Sequence, residues 1–270
     1  MELFFIISTF VLGTIIGSFL NVTIYRHNTG RGFGGRSFCM SCAKELSWHE
    51  LVPIASFIIQ RGRCLKCQSK ISWQYPVVEF LTGLVFALLF ISMPHQSLAD
   101  LISIIYYWAI FSILIMISVY DIRHKIIPDA PVYTFIILSL FAPILAAGAL
   151  NFDILLSVLA GLMLSAPFAL LWILSDGRLM GLGDAKIVLG LGIMLGLAQG
   201  LAAVLLAFWI GALFSIILLA CSRLAPRWST GFTMKSELPF GPFLILAALI
   251  ALVYHFDLNS IANLFQSFVF

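Results

Sequence analysis

The chain has 270 residues, of which 61% are hydrophobic and only 10% charged. Soluble domains carry about 25% charged residues, so an ordinary soluble globular protein is excluded. The 24 Phe exclude a disordered chain as well. The net charge of +3 gives no reason to expect a nucleic-acid partner; where the charges sit is more informative.

An apolar run over residues 3–25 follows Met1-Glu2. It has no basic leader and no A-x-A cleavage site, and it is longer than a signal-peptide core, so it reads as a retained membrane span. Further spans are expected at 77–93, 101–120, 131–150, 154–174 and 240–256, near the length of about 20 residues that crosses a bilayer. The stretch 185–220 would be about 54 Å long as one helix, too long for one crossing. It is expected to turn near 197–200, with Gly196 and Gly200 supplying the flexibility. The fold class is an all-α polytopic membrane protein of about eight transmembrane helices with a small zinc-ribbon-like loop domain. Its parts are the first helix (1–25), a polar module (26–75) and a membrane part of about seven helices (76–270).

Basic residues test this order. Residues 26–75 hold eight Lys and Arg, whereas the next connection, 94–100, holds none. Arg123 and Lys125, then Arg178, then Arg223, Arg227 and Lys235 mark alternate connections, with non-basic ones between. The positive-inside rule then places every basic loop in the cytosol and both termini outside it. The run Gly-Arg-Gly-Phe-Gly-Gly at 30–35 lacks a preceding strand and the Lys-Ser/Thr ending of a P-loop, so it reads as a leader into the module. No internal repeat stands out.

Four of the five cysteines form Cys39-x-x-Cys42 and Cys64-x-x-Cys67. Each C-x-x-C turn aims two sulfurs at one point, and two turns close a tetrahedron around Zn²⁺. The alternative, two disulfides, needs an oxidising compartment, and the surrounding basic residues put the module in the reducing cytosol. A four-thiolate site is coordinatively closed, so the expected zinc is structural. Cys221 reads as a small apolar residue. A catalytic zinc has no home, because His49-Glu50 starts an H-E-x-x-H pattern that Pro53 breaks.

Charged residues in or beside spans are functional candidates because they are costly there. Asp121 closes the third span, and Asp184 opens the sixth in Gly181-Leu-Gly183-Asp184. Two aspartates brought together can share one proton, one acting as base toward water and the other as acid. Each has a bland alternative: an N-cap for Asp184, and a helix-end carboxylate balanced by Arg123 and Lys125 for Asp121. Asp100, Asp129 and Asp153 read as helix starts and Asp176-Gly177 as a turn. Glu79 sits in a first helical turn, where the dipole favours negative charge. Gly13, Gly17 and Asn21 form one small, polar helix face suited to packing. Pro239-Phe240-Gly241-Pro242 reads as a helix entry.

The ordered set Gly17-Ser-Phe-Leu-Asn21, Cys39-x-x-Cys42, Trp48-His-Glu50-Leu-Val-Pro53, Gly62-Arg-Cys64-x-x-Cys67, Tyr75-Pro76-Val-Val-Glu79, Asp121 through Asp129, Gly181-Leu-Gly-Asp184-Ala-Lys186 and Pro239-Phe-Gly-Pro242 resembles the type IV prepilin leader peptidase family. The resemblance implies an inner-membrane aspartic peptidase of the G-x-G-D type. Such enzymes cut the basic leader from prepilins or type II secretion pseudopilins at the cytosolic face. It further implies N-methylation of the new terminus with S-adenosylmethionine, a zinc held by Cys39, Cys42, Cys64 and Cys67, and Asp121 and Asp184 as the catalytic pair. No nucleotide fingerprint locates the methyl donor. Glu50, Gly62 and Glu79 are nominated because they belong to or border the cysteine module. The rivals are a peptidase without methylation and a transporter or assembly protein. Transport would call for polar residues at the bilayer midplane, whereas the acids gather at one edge.

Overall fold

The computed structural model describes residues 1–27, 34–147, 153–224, 238–258 and 260. The readings placed on Gly30, Arg227 and Lys235 lie outside the described residues. Among those described, the structure is helical, with two isolated β-bridges and no strands. The helices are α1 (Glu2–Arg26), α2 (Ala55–Ile59), α3 (Gln74–Ser92), α4 (Leu98–His124), α5 (Asp129–Ser139), α6 (Ala142–Ala147), α7 (Asp153–Ser175), α8 (Leu182–Leu224) and α9 (Gly241–Val253). Five of the described helices are long and apolar enough to cross a membrane: α1, α3, α4, α7 and α8. The chain divides into two compact units, Met1–Val119 and Tyr120–Phe270.

In the first unit, α1 and α3 pack backbone to backbone. A Cβ on Gly13 would lie 2.7 Å from the Gly83 Cα, and one on Gly17 would lie 2.7 Å from the Glu79 Cα. Only glycine permits that approach, which is how apolar helices gain contact where lipid removes the hydrophobic drive. Asn21 is fully buried, and its Nδ2 donates to the carbonyls of Gly17 (3.3 Å) and Tyr75 (3.2 Å). Its polar face is thus spent on helix packing. The Tyr25 and Tyr75 rings stack above it, 5.3 Å apart.

Between these helices, the polar module is built twice over, although no repeat stands out in the sequence. The Cys39 amide donates to the Lys44 carbonyl and the Leu46 amide to the Ser37 carbonyl; 25 residues later, Cys64 donates to Ser69 and Ile71 to Gly62. Ala43 and Gln68, each just after a C-x-x-C, both take left-handed backbone (φ 55° and 58°). At that offset Leu46-Ser47-Trp48 aligns with Ile71-Ser72-Trp73. The repeat is short and conformational, with few identical side chains to betray it.

In the second unit, α8 is broken at Gly196 (φ 74°, ψ −179°). A Cβ on Gly200 would lie only 3.5 Å from the Gly192 Cα, although eight helical residues span about 12 Å. The chain therefore folds back on itself at Gly196, just before the expected turn. The span expected at 131–150 is interrupted instead: α5 ends at Ser139 and α6 starts at Ala142. Pro143 lacks the N–H that a continuous helix would need. With α5 at 11 residues and α9 at 13, each is about 16–20 Å long, short of a full crossing.

Candidate active site and metal centre

Asp121 is carried by the last turn of α4 and Asp184 by the first turn of α8, and both are buried (5% and 9% exposed). The Gly241 amide, at the start of α9, donates to Asp121 Oδ2 at 3.2 Å. The Gly181 amide donates to the Asp184 carboxylate. Asp184 is the third residue of α8, so it is not the N-cap itself; its contact with the Gly181 amide is the reach-back half of a capping box. Asp184 Oδ1 is buried and has no hydrogen-bond partner among the described residues. An orphaned buried carboxylate oxygen is rare in folded proteins and costs several kcal/mol, roughly 1–3 for a neutral group and more for a charged one.

The two carboxylates lie close enough for the charge of Asp121 to act on Asp184. Burial and a neighbouring like charge both disfavour ionising the two carboxylates together, and such a pair can hold one proton between them. One member can then take a proton from water while the other gives one to a leaving group.

The surrounding backbone is fitted to this arrangement. A Cβ on Gly183 would meet Ile127 at 2.7 Å, so the G-x-G-D loop is closed against the segment following α4. Lys186 Nζ donates to Asp129 Oδ1 at 2.5 Å and lies 4.7 Å above the Tyr133 ring. Asp129 opens α5, as expected of a helix start, and its carboxylate also holds the lysine two residues from Asp184. Asp100 does cap, accepting from the amides of Gln96 and Ser97. Asp176 (φ 49°) and Gly177 (φ 74°) form a turn; the side chain of Asp153 lies outside the described residues. Gly241 and Ile127 are the residues that sequence reasoning missed. Pro239-Phe-Gly-Pro242 contained the signal, a glycine between prolines with no turn to explain it.

In the other unit, the ligand atoms of Cys39, Cys42, Cys64 and Cys67 all lie within 4.8 Å of one another. Cys39 Sγ and Cys67 Sγ, from different knuckles, are 3.8 Å apart. A tetrahedron with Zn–S bonds of about 2.3 Å has sulfurs about 3.8 Å apart, so the donor set fits zinc in both chemistry and size. Burial opposes ionisation of Cys39, but the amides of Cys42 and Ser41 outweigh it and lower the thiol to about 6. Cys42 has the Lys44 amide in its favour, yet burial and the crowd of neighbouring sulfurs push it up to about 11. Four sulfurs this close cannot all be thiolates without a cation among them.

The nominated donor residues each have their own local setting. Both Glu50 oxygens accept from Lys44 Nζ (2.9 and 3.0 Å), and Oε2 also accepts from the Ser47 amide. The amide of Ser47 and the ammonium of Lys44 hold this carboxyl down at about 2. Gly62 (φ 67°) lies against the Phe57 ring and lines a cavity of about 610 Å³ with Trp73, Arg61, Arg63 and Lys70. Glu79 Oε2 accepts from the Ile54 amide at 2.7 Å. Neither glutamate lines that cavity, and three cations around it suit a sulfonium poorly.

Comparison with known proteins agrees with this layout. Residues 11–93 match the bacterial peptidase A24 N-terminal domain, and residues 108–216 match the type IV leader peptidase family. A Bacillus subtilis protein named prepilin leader peptidase/N-methyltransferase is 32% identical over 252 residues, covering 91% of this chain and 92% of its own. A type 4 prepilin-like proteins leader peptide-processing enzyme of Escherichia coli is 31% identical, covering 90% and 91%. The Pseudomonas aeruginosa prepilin leader peptidase/N-methyltransferase is 28% identical, covering 93% and 90%. No solved structure matches. Identity above 30% along nine-tenths of both chains, together with the matching family model, means that the chain belongs to the type IV leader peptidase family.

Proposed function

We propose that this chain is an inner-membrane aspartic endopeptidase that removes the leader from prepilins or pseudopilins and N-methylates the new terminus. The observation that carries the first activity is the buried pair Asp121 and Asp184, with Asp184 Oδ1 unpartnered, in a chain whose relatives are named for leader cleavage. In this reading one aspartate accepts a proton from the attacking water and the other protonates the departing amine. Both sit at helix ends, so the scissile bond would be cut at a membrane edge. The basic loops argue for the cytosolic edge, with eight crossings and both termini outside the cytosol.

The relatives' names support methylation, with S-adenosylmethionine supplying the methyl group, and we place it in the 26–75 module because that is the part organised outside the apolar helices by the four cysteines. Cys39, Cys42, Cys64 and Cys67 hold a structural zinc that keeps the module folded. Glu50, Gly62 and Glu79 are the first positions to substitute in seeking the donor site.

The deciding experiment reconstitutes the chain in proteoliposomes with a candidate prepilin and maps the product terminus by mass spectrometry. A single cut after the leader, absent in Asp121→Asn and Asp184→Asn, is the expected result. Normal cleavage in either variant overturns the peptidase reading. A mass gain of one methyl group on the new terminus tests the second activity separately.

A further inference from the structure

Residues 51–59 of the polar module, Leu-Val-Pro-Ile-Ala-Ser-Phe-Ile-Ile, carry no charge. Several of their large side chains are nonetheless uncovered: Ile58 is 67% and Ile59 78% exposed, and Leu51 and Val52 are also open. In water, such an apolar cluster marks an interaction surface.

Its depth follows from one hydrogen bond. The Ile54 amide donates to Glu79 Oε2, and Glu79 lies five residues past the first residue of α3, about 7.5 Å along it. At 19 residues, α3 is about 28 Å long, close to the hydrocarbon thickness, so its first residue marks one boundary and Glu79 lies inside. On α1, Glu79 meets Gly17, nine residues before Arg26 and about 13 Å from that end. Trp73, 72% exposed and just ahead of α3, sits where interfacial tryptophans collect.

The same segment forms one wall of a groove of about 850 Å³. Leu51, Val52 and Ile58 face Val11, Ile15 and Phe19 of α1, residues that are themselves exposed on an apolar spanning helix. Lipid that covers α1 is therefore continuous with this wall. Backbone bonding suits such a place, where unpaired amides are prohibitively costly. Besides Ile54, the amides of Ser56, Ile58 and Gln60 donate to the carbonyls of Val52, Ile54 and Ser56, and Pro53 has no amide to satisfy. Charge returns at once on either side, at Glu50 and at Arg61 and Arg63.

We propose that residues 51–59 are a re-entrant interfacial segment, inserted in the leaflet at the C-terminal end of α1 with its open face covered by lipid acyl chains. It pins the four-cysteine module against the membrane instead of leaving it free in the aqueous phase. The inference depends on neither catalytic activity.

The test places the photocrosslinker p-benzoylphenylalanine at Ile59 in the full chain, in nanodiscs of phosphatidylethanolamine and phosphatidylglycerol. Phe19 on α1 is the lipid-exposed control, and Met40, 69% exposed on the first knuckle, is the aqueous one. Lipid adducts at Ile59 should approach those at Phe19 and exceed those at Met40 by about tenfold, as expected of a side chain below the headgroups. Adducts at the Met40 level would overturn the proposal. So would adducts to a second copy of the chain or to added substrate in place of lipid, since the face would then dock protein. Ile58 is the replacement position if the Ile59 variant accumulates poorly, and the same outcomes decide.

Discussion

Replacing Gly241 by alanine separates a positioning role from a mere helix entry, because the two predict opposite results. An alanine Cβ there would lie 2.8 Å from Asp121 Oδ2 and 3.6 Å from both Asp121 Cγ and Ile187 Cδ1. The carboxylate would have to retreat by roughly 0.6 Å to regain an ordinary contact. Ile187 is fully buried on one side, and the retreat lengthens the 3.2 Å bond from the Gly241 amide. Misplacing a catalytic group by about 1 Å can cost 100-fold, and a hydrogen bond to a charged oxygen is worth about 1.5–3 kcal/mol. The two describe one displacement and are not summed. Gly241→Ala should therefore lower kcat by roughly 10- to 100-fold with little change in KM. The assay is leader cleavage of a purified prepilin in proteoliposomes, with protein level and Tm measured in parallel. If Gly241 merely starts α9, alanine should stabilise the helix by up to about 1 kcal/mol and leave cleavage untouched. Wild-type turnover with a raised Tm would refute the positioning argument.

Asp121→Asn and Asp184→Asn should each abolish cleavage at normal protein level, and the double variant should be no worse than either single, which single-turnover assays would check. Asp129→Asn should cost a few-fold at most, because its side chain is 70% exposed and a surface ion pair contributes about 0–1 kcal/mol. Elemental analysis of chelator-free protein should find one zinc per chain, lost together with methyl transfer in Cys39→Ser; a metal-free wild type with four reactive thiols would refute the site. Glu50→Gln should destabilise the module at neutral pH. The carboxyl is held at about 2, below its ordinary value of 4.5, so its contribution is complete above the ordinary value and fades as pH falls through 2. Acid unfolding of variant and wild type should accordingly converge at low pH, and a constant gap down to pH 2 would contradict it.

What could be read from the sequence is what local chemistry writes locally. Two C-x-x-C turns predict four sulfurs at one point because each turn already fixes two of them, and the cluster has that form. The excess length of 185–220 implied a reversal whatever the packing, and Gly196, whose left-handed backbone a side chain would strain, is where it occurs. The break between α5 and α6 was harder, since a proline near a helix start and one that interrupts a span look alike until the neighbouring turns are placed. Asp129 starts its helix as the sequence suggests, but its ion pair with Lys186 is not legible there, because the partner is 57 residues away.

The same separation in sequence governs the candidate site. Asp121 and Gly241 meet across 120 residues, and no periodicity announces a backbone amide aimed at a distant carboxylate. Residues 51–59 illustrate the converse. Nine apolar residues are too few to register as a span, and the basic residues around them assign the whole loop to water. Only the bond from the Ile54 amide to Glu79 gives the segment a depth. That bond also gives Glu79 a task. A carboxylate inside an apolar helix pair is costly unless something uses it, and here one oxygen closes the backbone of a segment that would otherwise bring an unpaired amide into the membrane. Glu79→Gln keeps an acceptor at that place while removing the charge, so it should retain the segment's lipid contact, whereas Glu79→Leu should lose it.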